Sequence, residues 1–143
     1  MNRIKRLLAI CLPCVVLHLT MMDVLSAQFN AASYEDRIDI TTFTTQLTRS
    51  DFKQDDVWDE TTPPLCSPQT IRSAAEKTLS EVAPQHKTFL LDSVRLVRFY
   101  DTNYWYYVVE YVEGGGAGTN SIRIVVRLNG TALKPILTPT KNS

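Results

Sequence analysis

Histidine and cysteine, the residues that most often hold metals or attack substrates, are scarce here: two and three in 143 residues. His18, Cys11 and Cys14 all fall within the first 26 residues. Beyond them, His86 alone excludes a metal site built on several histidines and the His-pair helical motifs. Cys66 alone excludes an intramolecular disulfide and leaves a free thiol or an intermolecular pair. Glycine is equally sparse, and four of the five glycines crowd into Gly114–Gly118. That loop joins two expected strands, whereas a phosphate cradle joins a strand to a helix, so phosphate binding is not expected there. Charge of one sign is lacking too. Fifteen basic and fifteen acidic residues balance, and nothing in them points to a nucleic-acid partner. The apolar stretch Leu7–Leu19 is 13 residues long, short of the roughly 20 that cross a bilayer.

What is there begins with an address. Asn2-Arg3-Ile4-Lys5-Arg6 is a basic start, Leu7–Leu19 is a short apolar stretch, and Val24-Leu25-Ser26 puts compact residues before Ala27. This is the three-part pattern of a secretory signal. Cleavage after Ser26 is expected, with the remainder secreted or periplasmic and the membrane met only in transit. Cys11-Leu12-Pro13-Cys14 has the spacing of a redox motif. It sits in the segment to be discarded, away from the helix N-terminus that would lower a thiol pKa.

The rest reads as an acidic segment, 27–66, a helix-plus-sheet domain, 67–137, and a tail, 138–143. Tyr34–Glu60 carries eight acidic and three basic residues, whereas the chain from Ser67 onward carries six acidic and nine basic. The acidic part reads first as a solvated arm, with attraction to the basic part as the alternative. It has room for one strand at 38–47, where Arg37-Ile38-Asp39-Ile40-Thr41 alternates and a Thr-rich run follows. Asp51, Asp55, Asp56, Asp59 and Glu60 match no calcium-loop spacing and lack the turn glycine, so they read as a solvated face.

Ser67 and Pro68 supply a helix cap and first position. Ile71, Ala74, Ala75, Thr78, Leu79 and Val82 then form one apolar stripe, and Pro84 ends the helix near Ala83. Strands follow at Phe89–Tyr100, Tyr104–Glu113, Ile122–Leu128 and, after the hairpin signal Asn129-Gly130, Thr131–Leu133. Short links predict an α+β fold: one helix packed on a four-stranded antiparallel meander, with the N-terminal strand as a possible addition. Cys66 and His86 flank the helix, which spans roughly 24 Å at about 1.5 Å per residue. That separation excludes a thiol–imidazole dyad, which works at about 3 Å.

Alternation assigns the strand faces. Trp105, Tyr107, Val109 and Tyr111 turn inward with Ile122, Ile124, Val126 and Leu128, and so do Val94 and Leu96. Arg95, Val97, Phe99, Tyr104, Tyr106, Val108, Glu110, Arg123, Val125 and Arg127 turn outward. That outer face is apolar and aromatic for a surface left in water. Its residues Arg95, Phe99, Tyr104, Tyr106, Arg123 and Arg127 are the expected binding surface, since tyrosine and arginine are frequent at contacts. Three alternatives stand beside this reading: a cover supplied by residues 34–60, a homodimer contact, or a register slip that swaps the faces.

The helix Thr70-Ile71-Arg72-Ser73-Ala74-Ala75-Glu76-Lys77, the strand Trp105-Tyr106-Tyr107-Val108-Val109-Glu110-Tyr111 and the closing Leu128-Asn129-Gly130 together resemble small exported PepSY-like and cystatin-like domains. The resemblance spans Ile71–Pro135, about half of the chain. It implies a helix wrapped by an antiparallel sheet and a role in binding or inhibiting another protein. Where cystatin inhibitors carry Gln-x-Val-x-Gly, this chain has Glu110-Tyr111-Val112-Glu113-Gly114, and it lacks the paired cysteines, so no functional residue is carried over.

The functional expectation is an exported, non-enzymatic binding module that contacts another protein or a second copy of itself, with no catalytic residue, cofactor or metal assigned. Two alternatives are a small-molecule carrier or enzyme with a pocket between helix and sheet, for which Tyr107 and Tyr111 are the inward polar groups, and a self-associating structural protein.

Overall fold

This computed structural model describes residues 31–64, 66–84, 88–114 and 120–140, and among them are six strands and one α-helix. The expected leader at 1–26, His86 and residues 115–118 of the glycine loop lie outside the described residues. From Ala32 onward the chain belongs to one compact unit.

The helix, α1, spans Pro68–Val82, within one residue of its expected end. Ser67 caps it: its side chain accepts a hydrogen bond from the Thr70 N–H at 3.1 Å, satisfying one of the four amides that a helix start leaves without a partner. Ile71, Ala75, Thr78, Leu79 and Val82 are buried, which is the stripe read from the sequence, with Ala74 packed at its margin.

The fold differs from the expected single meander. The strands form two three-stranded antiparallel sheets. The first holds β1 (Ala31–Ile38), β2 (Thr41–Thr48) and β6 (Ile136–Pro139), in the order β1-β2-β6. The second holds β3 (Phe89–Arg98), β4 (Trp105–Glu113) and β5 (Ser121–Arg127), in that order. The expected fourth meander strand is a stub: Ala132 bridges Val126, and Leu133 donates its N–H to the Val125 carbonyl at 2.8 Å. Pro135 then denies the ladder a donor, and the chain crosses to pair β6 with β2, from Thr41 opposite Pro139 to Thr44 opposite Ile136. The expected tail from residue 138 thus begins inside β6.

The N-terminal segment differs in the same way. It holds two strands, joined by the tight turn Asp39-Ile40 with Asp39 at φ 52°. Large apolar groups are few in it, but Phe43 and Leu47 are buried on β2 with Thr45 buried between them on the same face. Residues 49–56 form two short 3-10 turns that deliver Phe52 into the interior.

The second sheet therefore has a core on each face. On one, Tyr107, Val109 and Tyr111 of β4 and Ile122, Ile124 and Val126 of β5 pack with Ile71, Ala75, Leu79 and Val82 of α1. On the other, Phe99, Tyr106, Val108 and Val125 pack with Leu47 and Phe52, flanked by Ala32 and Tyr34. On β4 and β5 the faces follow the alternation read from the sequence, whereas Val94 of β3, expected inward, is 42% exposed.

Candidate functional site

The six residues of the expected binding surface do share the face of the second sheet turned away from α1, but the first sheet and its following loop occupy that face. Phe99 is buried with its ring centroid 4.6 Å from that of Phe52. Tyr104, half-buried, stacks on Phe52 at 5.3 Å and an interplanar angle of 22°. Tyr106 is buried and shares a 2.8 Å hydrogen bond with the Tyr34 hydroxyl. Burial, and then that bond, push its phenol well above the ordinary tyrosine range. Arg123 donates from its backbone N–H and from Nε to Asp36, both at 2.8 Å. The side-chain bond to Asp36 holds the guanidinium even more firmly in its charged form. Arg127 is buried and donates from Nε to Asp56 Oδ2 at 2.8 Å. Arg95 alone is exposed, with Glu110 3.3 Å away. The alternative in which residues 34–60 cover this face thus describes the arrangement, and Asp36 and Asp56 of the acidic segment are buried acids rather than members of a solvated arm.

The opposite face holds a different feature. α1 lies over β4 and β5, and β3, at the sheet edge, extends beyond its cover. Phe89, Leu91, Val94 and Leu96 form the row of β3 that turns toward the helix side, as their pairing with Glu113, Tyr111, Val109 and Tyr107 requires. With no helix above them, Leu91 and Val94 stay 37% and 42% exposed, and Leu90 beside them 61%. Between this strip and the flank of α1 lies a cleft of about 440 Å³, within the size range of small-molecule pockets. Leu79, Ala83 and Pro84 wall it on the helix side and Phe89, Leu90 and Leu91 on the strand side, with Arg72, Glu76 and Ser80 along the helix rim and Tyr111 contributing from β4.

Tyr111 is the unusual member. It is 2% exposed, and its hydroxyl has no hydrogen-bond partner among the described residues. Burial pushes its phenol up to about 12, and the negative charge of Glu76 adds to the shift while Arg72 opposes it. The hydroxyl therefore keeps its proton as a donor, and Tyr111 lines the same cleft as Arg72 and Glu76. Arg72 and Glu76, one helical turn apart, hold each other through a 2.6 Å ion pair. Tyr107, the other inward tyrosine, does not join the cleft. Burial raises its phenol, and its electrostatic neighbour is Cys66.

Cys66 is half-buried beside the Asn129-Gly130 turn. Among the described residues no three histidine, cysteine or acidic side chains gather into a group able to hold a metal ion, and no helix is long and apolar enough to cross a membrane. Alternation placed Tyr111 inward, and a pocket between helix and sheet was one of the alternatives read from the sequence, but its position at the β3 edge was not, because no local pattern states how far across the sheet a helix sits. Phe52 carried a weaker signal as one of two aromatics, with Trp58, in the acidic run Asp51–Glu60. No family model, curated protein or solved structure matches this chain.

Proposed function

We propose that this chain is an exported, non-enzymatic binding module that carries a small molecule in the cleft between α1 and β3. The unpartnered Tyr111 hydroxyl is the observation that supports this reading most. A buried donor with no acceptor costs about 1–3 kcal/mol, and native structures hold few such groups. A bound ligand that accepts from Tyr111 offsets that cost. The apolar walls and the few polar groups at the rim are the composition that small-molecule sites favour. The outer sheet face is left out of this proposal, because Leu47, Phe52 and Tyr34 already fill it.

Titration of the purified chain with the uncharged apolar dye Nile red tests the cleft. Enhanced dye fluorescence is expected from the parent protein. Ser80→Trp, at an exposed rim position, fills the cleft without touching the core and should abolish the signal at unchanged circular dichroism. Equal dye binding by parent and variant would remove the cleft as the site. Export is tested separately: the secreted form should begin at Ala27.

A further inference from the structure

We infer that the ligand of this cleft is an uncharged molecule with an apolar body and a hydrogen-bond acceptor at one end, received by the Tyr111 hydroxyl. The inference rests on the carrier reading above and specifies its ligand. Three features carry it. The hydroxyl is cut off from solvent, so any head group reaching it must leave water. A carbonyl or ether gives up little hydration, whereas a carboxylate or ammonium gives up a great deal. Among the described residues the rim offers no spare charge of clear sign, since Arg72 and Glu76 already pair at 2.6 Å. An anionic head group would approach Glu76 and a cationic one Arg72, and each would have to compete with the existing pair. The walls, Leu79, Ala83, Pro84, Phe89, Leu90 and Leu91, supply only apolar side chains, which suits an alkyl or aryl body and contributes through the area removed from water.

The test compares three probes of equal chain length: 2-octanone, octanoate and octylammonium, each competing at neutral pH with the fluorescent dye on the full chain. The ketone should displace the dye at a concentration at least about tenfold lower than either charged probe, a difference of about 1.4 kcal/mol. Tyr111→Phe, which keeps the ring and removes only the hydroxyl, should weaken the ketone about fivefold, the scale of one net hydrogen bond, and leave octanoate unchanged. Octanoate or octylammonium matching the ketone would overturn the inference, as would a ketone affinity indifferent to Tyr111→Phe, or bound dye that none of the three displaces. Absence of dye binding to the parent protein would instead reject the carrier reading on which the inference stands. Ser80→Trp serves as the control, since it should weaken all three probes together.

Discussion

Arg127, at the end of β5, donates from Nε to Oδ2 of Asp56 at 2.8 Å, and both side chains are shut away from solvent. Nη2 of Arg127 reaches the same oxygen, and the Lys53 backbone N–H donates to it at 2.8 Å. The pair links the loop after β2 to the second sheet, and the Asp36–Arg123 pair links β1 to the same strand. Two arginines four residues apart on β5 thus hold the cover over the aromatic face.

Breaking the buried pair should cost far more than a surface ion pair does. Asp56→Ala leaves a buried guanidinium without its counter-charge, and a loss of about 3–5 kcal/mol is expected in chemical denaturation. Replacing both partners by apolar residues, Asp56→Leu with Arg127→Met, should recover most of that loss, because neither charge then remains to be desolvated. A double variant no more stable than Asp56→Ala would mean that the loop needs the Asp56 carboxylate for its own turn more than for Arg127.

High pH should loosen the molecule through its tyrosines. Tyr111 holds its proton to about 12 in the folded chain, against an ordinary 10.0 when unfolded, and Tyr106 shifts in the same direction. Both folded values are raised, so the stability they contribute is whole below pH 10 and declines as the pH climbs through the folded values, where the unfolded chain releases protons first. Denaturation midpoints should therefore fall from about pH 10 upward. Tyr106→Phe and Tyr111→Phe should each flatten the fall, and a slope unchanged in both would assign alkaline unfolding to other groups.

The sequence made α1 legible because a cap, a first-turn proline and an apolar stripe agree on one element. The two faces of the second sheet were legible for a similar reason: alternation over β4 and β5 leaves one register that buries both rows. The partner of the outer row was not. Asp56 meets Arg127 across 71 residues and Asp36 meets Arg123 across 87. The opposite charges of the two segments allowed such pairing without naming the pairs. β6 was missed because Pro135 ends local pairing, and its four residues are all exposed, so they carry no alternation of burial. The cleft arises from the lateral offset of α1 toward β5, a property of packing rather than of periodicity.

Tyr111→Phe should leave the empty protein as stable as the parent or more so. An unpartnered buried hydroxyl weakens a fold by about 1–3 kcal/mol, and phenylalanine keeps the ring that packs in the core. A thermal midpoint raised or unchanged in the ligand-free protein is expected. A clear drop would mean that the hydroxyl has a water partner in solution, in which case its removal costs a hydrogen bond.

Gly130 offers a way to separate backbone strain from side-chain crowding in one turn. Its φ of +85° lies where residues bearing a Cβ are disfavoured, at about 1–2 kcal/mol. An added Cβ would also sit 2.9 Å from Cys66 Sγ and 3.2 Å from Thr70 Cγ2, so Gly130→Ala should cost more than the backbone alone dictates. Cys66→Ala removes the sulfur that the new methyl would meet. Measured in that background by urea denaturation, Gly130→Ala should lose less stability, approaching the backbone cost of about 1–2 kcal/mol. Equal losses in both backgrounds would mean that Cys66 turns aside freely and that the left-handed backbone sets the whole cost. A loss near zero in both would mean that the turn itself relaxes to a negative φ.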